Sequence, residues 1–170
     1  MLLDVWMLGD SILHWARVYA QERGREVGGS LAVSWCGVRG MKWADFQHNP
    51  QMGVMFSSAP RYIFLHLGGN DMASPQVATF RLVRWGLRYV KAAFPNVHLI
   101  WIDILPRSIW PSGSSEDKKR RRLNRFGRKM SRKINGCDMG SVMVDIDNVT
   151  PGFFINDGVH LSPVGNEMLL

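Results

Sequence analysis

The sequence predicts an α/β protein, a three-layer α/β/α sandwich around a five-stranded parallel sheet. Three observations carry that expectation. Short apolar runs alternate with longer stretches of helical periodicity, the pattern of strand–helix–strand units. The first run, residues 2–8, is apolar apart from Asp4 and does not alternate in polarity, as a strand covered on both faces requires. Several runs stop at glycine or proline, where the backbone can turn into a loop.

Taken in order, residues 2–8 form the first strand and end at Gly9. Residues 11–23 place Ile12, Trp15, Ala16 and Tyr19 at helical spacing and stop near Gly24. Residues 31–35 read as the second strand, and 61–67 as the third, ending at Gly68 and Gly69. The spacing predicts a helix over 75–94: Pro75 suits its first turn, and Val77, Phe80, Val83, Leu87 and Val90 make its apolar stripe. The fourth strand, 97–105, is closed by Pro106. A helix over 117–134 runs through Leu123, Phe126, Met130 and Ile134. Residues 141–146 are a shorter fifth strand. Ser162 and Pro163 then read as N-cap and first residue of a last helix.

At 170 residues the chain is expected to be one domain over 1–170, since two well-cored domains need more. With 46% hydrophobic and 21% charged residues it is neither disordered nor collagen-like. No apolar run approaches the roughly 18 residues that span a bilayer, and Asp4 interrupts any secretory signal at the start. Cys36 and Cys137 are too few for a disulfide framework, and no Cys/His cluster has zinc-site spacing. Reduced thiols and an intracellular setting, cytoplasmic or nuclear, are therefore expected. The closing stretch 162–170 allows about two helical turns, short for packing across a sheet. That fits a chain that continues, or a domain excised from a longer one.

The formal charge of +7 is uneven. Ten of the 21 Lys and Arg lie in 118–133, which holds no acid, leaving 11 basic against 14 acidic residues elsewhere. Positive character is thus a local feature of a nearly neutral domain. Lys118, Lys119, Arg120, Arg121, Arg122, Arg125, Arg128 and Lys129 form a candidate polyanion-binding face, for nucleic acid or an anionic membrane surface. The plainer outcome is a solvated helix face whose long stems shield apolar surface.

In parallel sheets of this kind, ligands bind outside the carboxyl ends of the strands, near the switch in strand order. The residues just after each strand are therefore the informative ones. They are Gly9-Asp10-Ser11, then Gly37-Val38-Arg39-Gly40, then Gly68-Gly69-Asn70-Asp71, and finally Asp157-Gly158-Val159-His160 ahead of the last helix. Each alone has a bland reading: Ser11 as an N-cap, Asn70 and Asp71 as turn residues, and Asp157 with His160 as loop stabilisers. In combination they supply a complete acyl-transfer apparatus. A serine hydroxyl needs an adjacent base to become a useful nucleophile, and His160 titrates in the right range for one. Asp157 is the nearest carboxylate to hold the His160 tautomer, and the order Ser, Asp, His is that of other α/β hydrolases.

In these four blocks the chain resembles the SGNH hydrolases, the GDSL esterase/lipase family, over residues 4–170. The matching residues are Ser11, Gly40, Asn70 and His160. The resemblance implies a flavodoxin-like SGNH hydrolase fold and a triad of Ser11, Asp157 and His160. It also implies an oxyanion hole of the Ser11 and Gly40 N–H groups with the Asn70 side-chain amide, and neither metal nor organic cofactor. Arg39, Met41 and Lys42 flank Gly40 where small or polar residues are more usual, and Gly37 competes with Gly40 for the oxyanion role. Small acyl esters, of acetyl type on lipids or sugars, are the implied substrates. Such domains also occur in open reading frames of mobile elements that bind nucleic acid.

Two functional readings follow. The first is a serine esterase acting through an acyl-enzyme. The second is a catalytically weak or inactive module of the same fold that binds nucleic acid or anionic lipid through the basic helix. Trp43 and Trp110 are candidate liners of an acyl pocket, whereas His14, His48, His66 and His98 are assigned no role.

Overall fold

The computed structural model describes residues 4–46 and 59–170. It contains strands β1 (Val5–Gly9), β2 (Val33–Gly37), β3 (Tyr62–His66), β4 (His98–Ile102) and β5 (Ser141–Val142). The helices are α1 (Ser11–Glu22), α2 (Gln76–Ala93), α3 (Ser115–Asn135) and α4 (Pro163–Leu169). All pairings are parallel, and the sheet order is β2-β1-β3-β4-β5. That is the flavodoxin-like order, whose direction switches between β1 and β3. No helix among the described residues is long and apolar enough to cross a membrane.

Alternation along the strands divides the core. Trp6, Leu8, Ile63, Leu65, Leu99 and Trp101 point to the face covered by α2 and α3 and are buried there with Val83, Leu87, Val90, Leu123 and Met130. The opposite face carries α1 and α4 and a smaller cluster of Ile12, Leu105, Ile146 and Leu161.

The elements depart from expectation mainly at their ends. Strand β2 begins at Val33, two residues later than expected, and runs to Gly37. Strand β4 stops at Ile102; the Asp103 N–H still donates to the Val142 carbonyl at 3.0 Å, where β5 itself ends. Strand β5 keeps only two of the six expected residues, although Val144 and Ile146 still pack against the smaller cluster. Pro75 caps α2 from outside, and Ser114 opens α3 two residues early by accepting the Asp117 N–H. Ser162 caps α4 through the Gly165 N–H, with Pro163 as its first residue, as expected.

Candidate active site

Ser11 is the first residue of α1, immediately beyond the tip of β1. The N-cap is Asp10: its Oδ1 accepts the Ile12 N–H at 3.1 Å. Ser11 is thereby released from the capping role that its residue type suggests. As the first helical residue its own N–H is one of the donors a helix leaves unpaired. Asp10 is 1% exposed and lies 3.4 Å from the Nδ1 of His66, also buried. Neither His66 ring nitrogen has a hydrogen bond among the described residues.

His160 reaches Ser11 from the far end of the sequence. Its Nε2 lies 3.0 Å from Ser11 Oγ, across 149 positions of chain. Its Nδ1 lies 2.6 Å from Asp157 Oδ2. The other oxygen, Asp157 Oδ1, accepts the N–H groups of Val159 and His160 at 2.8 and 2.9 Å. Burial alone would raise the Asp157 carboxyl, but the bonds from the His160 ring and these two N–H groups outweigh it and hold it below the usual carboxylate range. The loop is held from three sides. Phe154 and Leu161 form an antiparallel bridge, Gly158 accepts the Ser108 N–H at 2.9 Å, and Tyr19 of α1 donates to Glu167 of α4 at 2.8 Å. The helix that carries Ser11 and the one that follows His160 are thus tied directly.

The two candidate oxyanion glycines prove different in kind. Gly37 ends β2 with its α-carbon against the backbone of Leu13 and His14, where a side chain has no room. Gly40 lies at φ +74° with open space on the side a Cβ would occupy. The structure therefore uses Gly37 for packing and leaves Gly40 at the open loop tip. Asn70, in the short turn after β3, donates from Nδ2 to the carbonyl of Met41, beside Gly40, at 3.1 Å. An amide nitrogen carries two hydrogens, so one remains for another acceptor.

Arg107 carries no motif and was not among the expected residues. Its Nη2 donates to Asn70 Oδ1 at 3.2 Å, and its guanidinium lies over the Trp110 ring, 4.5 Å from the centroid. A Cβ on Gly69 would come within 2.7 Å of that nitrogen, so glycine there makes room for it. Burial lowers the Arg107 pKa, opposed by the charges of Asp10 and Asp157. The only sequence signal for this residue is its position just past β4, at the same edge as the other blocks.

Residues 7–168 match the GDSL-like lipase/acylhydrolase family. The chain belongs to that family. It is on that ground a carboxylic ester hydrolase. No curated protein matches the sequence, but solved structures do. A carbohydrate esterase family 3 protein from Talaromyces cellulolyticus is 20% identical with a TM-score of 0.69, covering 99% of this chain and 92% of that one. A mutant acetyl esterase with an acetate ion is 19% identical with a TM-score of 0.69, over 99% and 92%. A psychrotrophic esterase from Pseudoalteromonas sp., inhibited by monoethylphosphonate, is 11% identical with a TM-score of 0.67, over 98% and 92%. At such identities the likeness to these structures is one of fold.

Within this GDSL-family site, two expectations need correction. Trp43 does not line an acyl pocket: it is buried, stacked on Trp101 at 5.9 Å, and donates from Nε1 to the Leu67 carbonyl. Trp110 is likewise buried beneath Arg107. A groove of about 480 Å³ beside His160 is lined instead by Trp15, Val18, Tyr19, Arg39 and Ile155. The basic run is also partly consumed internally. Arg120 and Arg121 pair with Asp117, Arg128 pairs with Asp103, and Lys119 donates to the Met72 carbonyl. Four of the eight candidate polyanion contacts are thus committed to the fold. Cys36, buried, and Cys137, exposed, form no disulfide; His48 lies outside the described residues.

Proposed function

We propose that this chain, as a single domain over 1–170, is a serine esterase that cleaves small acyl esters of acetyl type through an acyl-enzyme. The observation that carries the reading is the continuous relay from Ser11 Oγ to His160 Nε2 at 3.0 Å and from His160 Nδ1 to Asp157 Oδ2 at 2.6 Å. His160 removes the Ser11 proton as Oγ attacks the ester carbonyl, and Asp157 holds the ring and stabilises the imidazolium that forms. The imidazolium returns its proton to the departing alkoxide. Water, deprotonated by His160 in turn, then hydrolyses the acyl-serine.

The developing oxyanion is received by the N–H groups of Ser11 and Gly40 and by the second Nδ2 hydrogen of Asn70. The start of α1 adds the positive end of its dipole. Arg107 acts as a positioning residue: by gripping Asn70 Oδ1 it keeps the nitrogen side of that amide turned inward. Support for a sugar or lipid ester comes from the groove beside His160, lined by the aromatic Trp15 and Tyr19 with Val18 and Ile155, and from the carbohydrate esterase and acetyl esterase among the similar folds.

Hydrolysis of p-nitrophenyl acetate tests the proposal. Ser11→Ala is expected to lower kcat at least about 10³-fold, and a fluorophosphonate probe to label the parent at Ser11 alone. Parent-like turnover by Ser11→Ala overturns the assignment. Absence of both labelling and turnover in the parent favours the non-catalytic reading.

A further inference from the structure

We propose that the outer surface of α2 and α3 together is a docking plate for the sugar–phosphate backbone of a nucleic acid, a surface wider than the basic run of α3. The surface is read from charge and packing alone; only the choice of a nucleic acid over a membrane rests on the esterase reading, and the binding measurements below do not depend on turnover. Helix α2 has no acidic residue, and α3 has only Glu116 and Asp117, both in its first turn. The helices pack through stacked Phe80 and Phe126, 4.3 Å between centroids, and Arg122 reaches Gln76 at 3.4 Å. Residues 76 and 80 thus lie level with 122 and 126, so the two helices run side by side in the same direction.

Helical geometry sorts the charges. On α3, Lys118, Arg122, Arg125, Lys129 and Lys133 are separated by steps of three or four and form one stripe opposite the buried Leu123, Asn124, Gly127 and Met130. On α2, Arg81, Arg84 and Arg88 form a second stripe, and Arg84 leans over Phe126 at 5.6 Å, in the seam between the helices. All eight side chains are exposed, and none is ion-paired with a described residue. The basic residues of α3 that are ion-paired, Arg120, Arg121 and Arg128, lie on the opposite flank, toward Asp103 and Asp117. Trp85, 65% exposed, stands one turn from both Arg81 and Arg88, where it offers a base a stacking surface.

Such a plate is about 22 Å long by the rise of α3 between 118 and 133, and five of its eight cations are the bidentate phosphate ligand arginine. Its orientation argues against a membrane. The plate lies along a face of the sheet, whereas Ser11 and His160 open at the strand tips, a right angle away. A bilayer lying on the plate would leave the ester site edge-on to the lipid. A linear polyanion makes no such demand.

Fluorescence anisotropy with a labelled 20-nucleotide single-stranded RNA tests the proposal, with vesicles containing phosphatidylserine run in parallel. With about four phosphates neutralised, affinity is expected to fall about 50-fold between 50 and 200 mM salt. Arg81→Gln/Arg84→Gln/Arg88→Gln is expected to weaken RNA binding at least tenfold at low salt, with unchanged circular dichroism and unchanged hydrolysis of p-nitrophenyl acetate. Lys118→Gln/Arg125→Gln/Lys129→Gln is expected to do the same from the other helix. Salt-insensitive binding, parent-like binding by the α2 triple variant, or capture by vesicles without capture of RNA overturns the proposal.

Discussion

The face of the sheet under α2 and α3 and the rim at the strand tips are built on opposite principles. Under the helices the buried groups are large and apolar, with the indole nitrogens of Trp43 and Trp101 bonded to Leu67 and Asn124. At the rim, within a few residues of the strand ends, lie buried Asp10, His66 and Asp71 and the largely desolvated Arg107. Burying such groups costs stability unless each finds a partner, and His66 finds no hydrogen bond among the described residues. The contrast teaches where the two kinds of free energy reside. Apolar packing holds the sheet together, and the rim spends part of that surplus on fixed polar geometry.

Substitutions on the two sides should therefore separate activity from stability. Among them the greatest loss is expected at Trp101, wholly buried, stacked on Trp43 and bonded to Asn124. Trp101→Ala should cost about 3–5 kcal/mol in urea denaturation, with the activity of each folded molecule little changed. Asn70→Ala should do the reverse, lowering kcat about 10²–10³-fold by loss of the proposed oxyanion donor while the urea midpoint moves little. Equal losses in both measurements for either variant would erase the contrast.

Asp71 sits on the border between the regions. Burial pushes its carboxyl up to about 6, against the lowering effect of the Trp43 N–H and of Lys42. In the unfolded chain an Asp titrates near 3.9. The folded state therefore keeps the proton longer, and the stability this provides is full below about pH 4 and is lost as pH rises through 6. Asp71→Asn, which keeps an acceptor for Trp43, should be more stable than the parent by about 2 kcal/mol at pH 7. The two should converge at pH 4, and urea titrations at both values read the difference. The smallest effect is expected for Arg107→Lys. Lysine lacks the planar fork, so kcat should fall about tenfold with KM unchanged; a change in KM alone would remove Arg107 from its positioning role.

Much of this architecture could be read from the residues. Strands β1, β3 and β4 announce themselves as apolar runs closed by glycine or proline, and α1 to α4 by periodicity and caps. Strand β5 misled because Val144 and Ile146 are apolar for packing, without a neighbour to continue the ladder. The approach of Ser11, Asp157 and His160 was legible because parallel sheets gather strand ends at one edge. Arg107 was not, since its place depends on a ring beneath it and an amide 37 positions away. The division of the basic helix into committed and exposed cations was equally hidden. Asp103, the partner of Arg128, lies 25 residues upstream and is brought near only by folding.

The bond between Ser11 and His160 joins parts of the chain 149 positions apart, and loop closure over such a span is among the slower and costlier events of folding. A partly folded molecule, with its sheet formed but the segment beyond position 150 still undocked, holds a serine with no base beside it. On the proposed relay, esterase turnover is expected to be absent from any species in which that contact is open. Specific activity is then expected to report the share of molecules in which positions 11 and 160 have met.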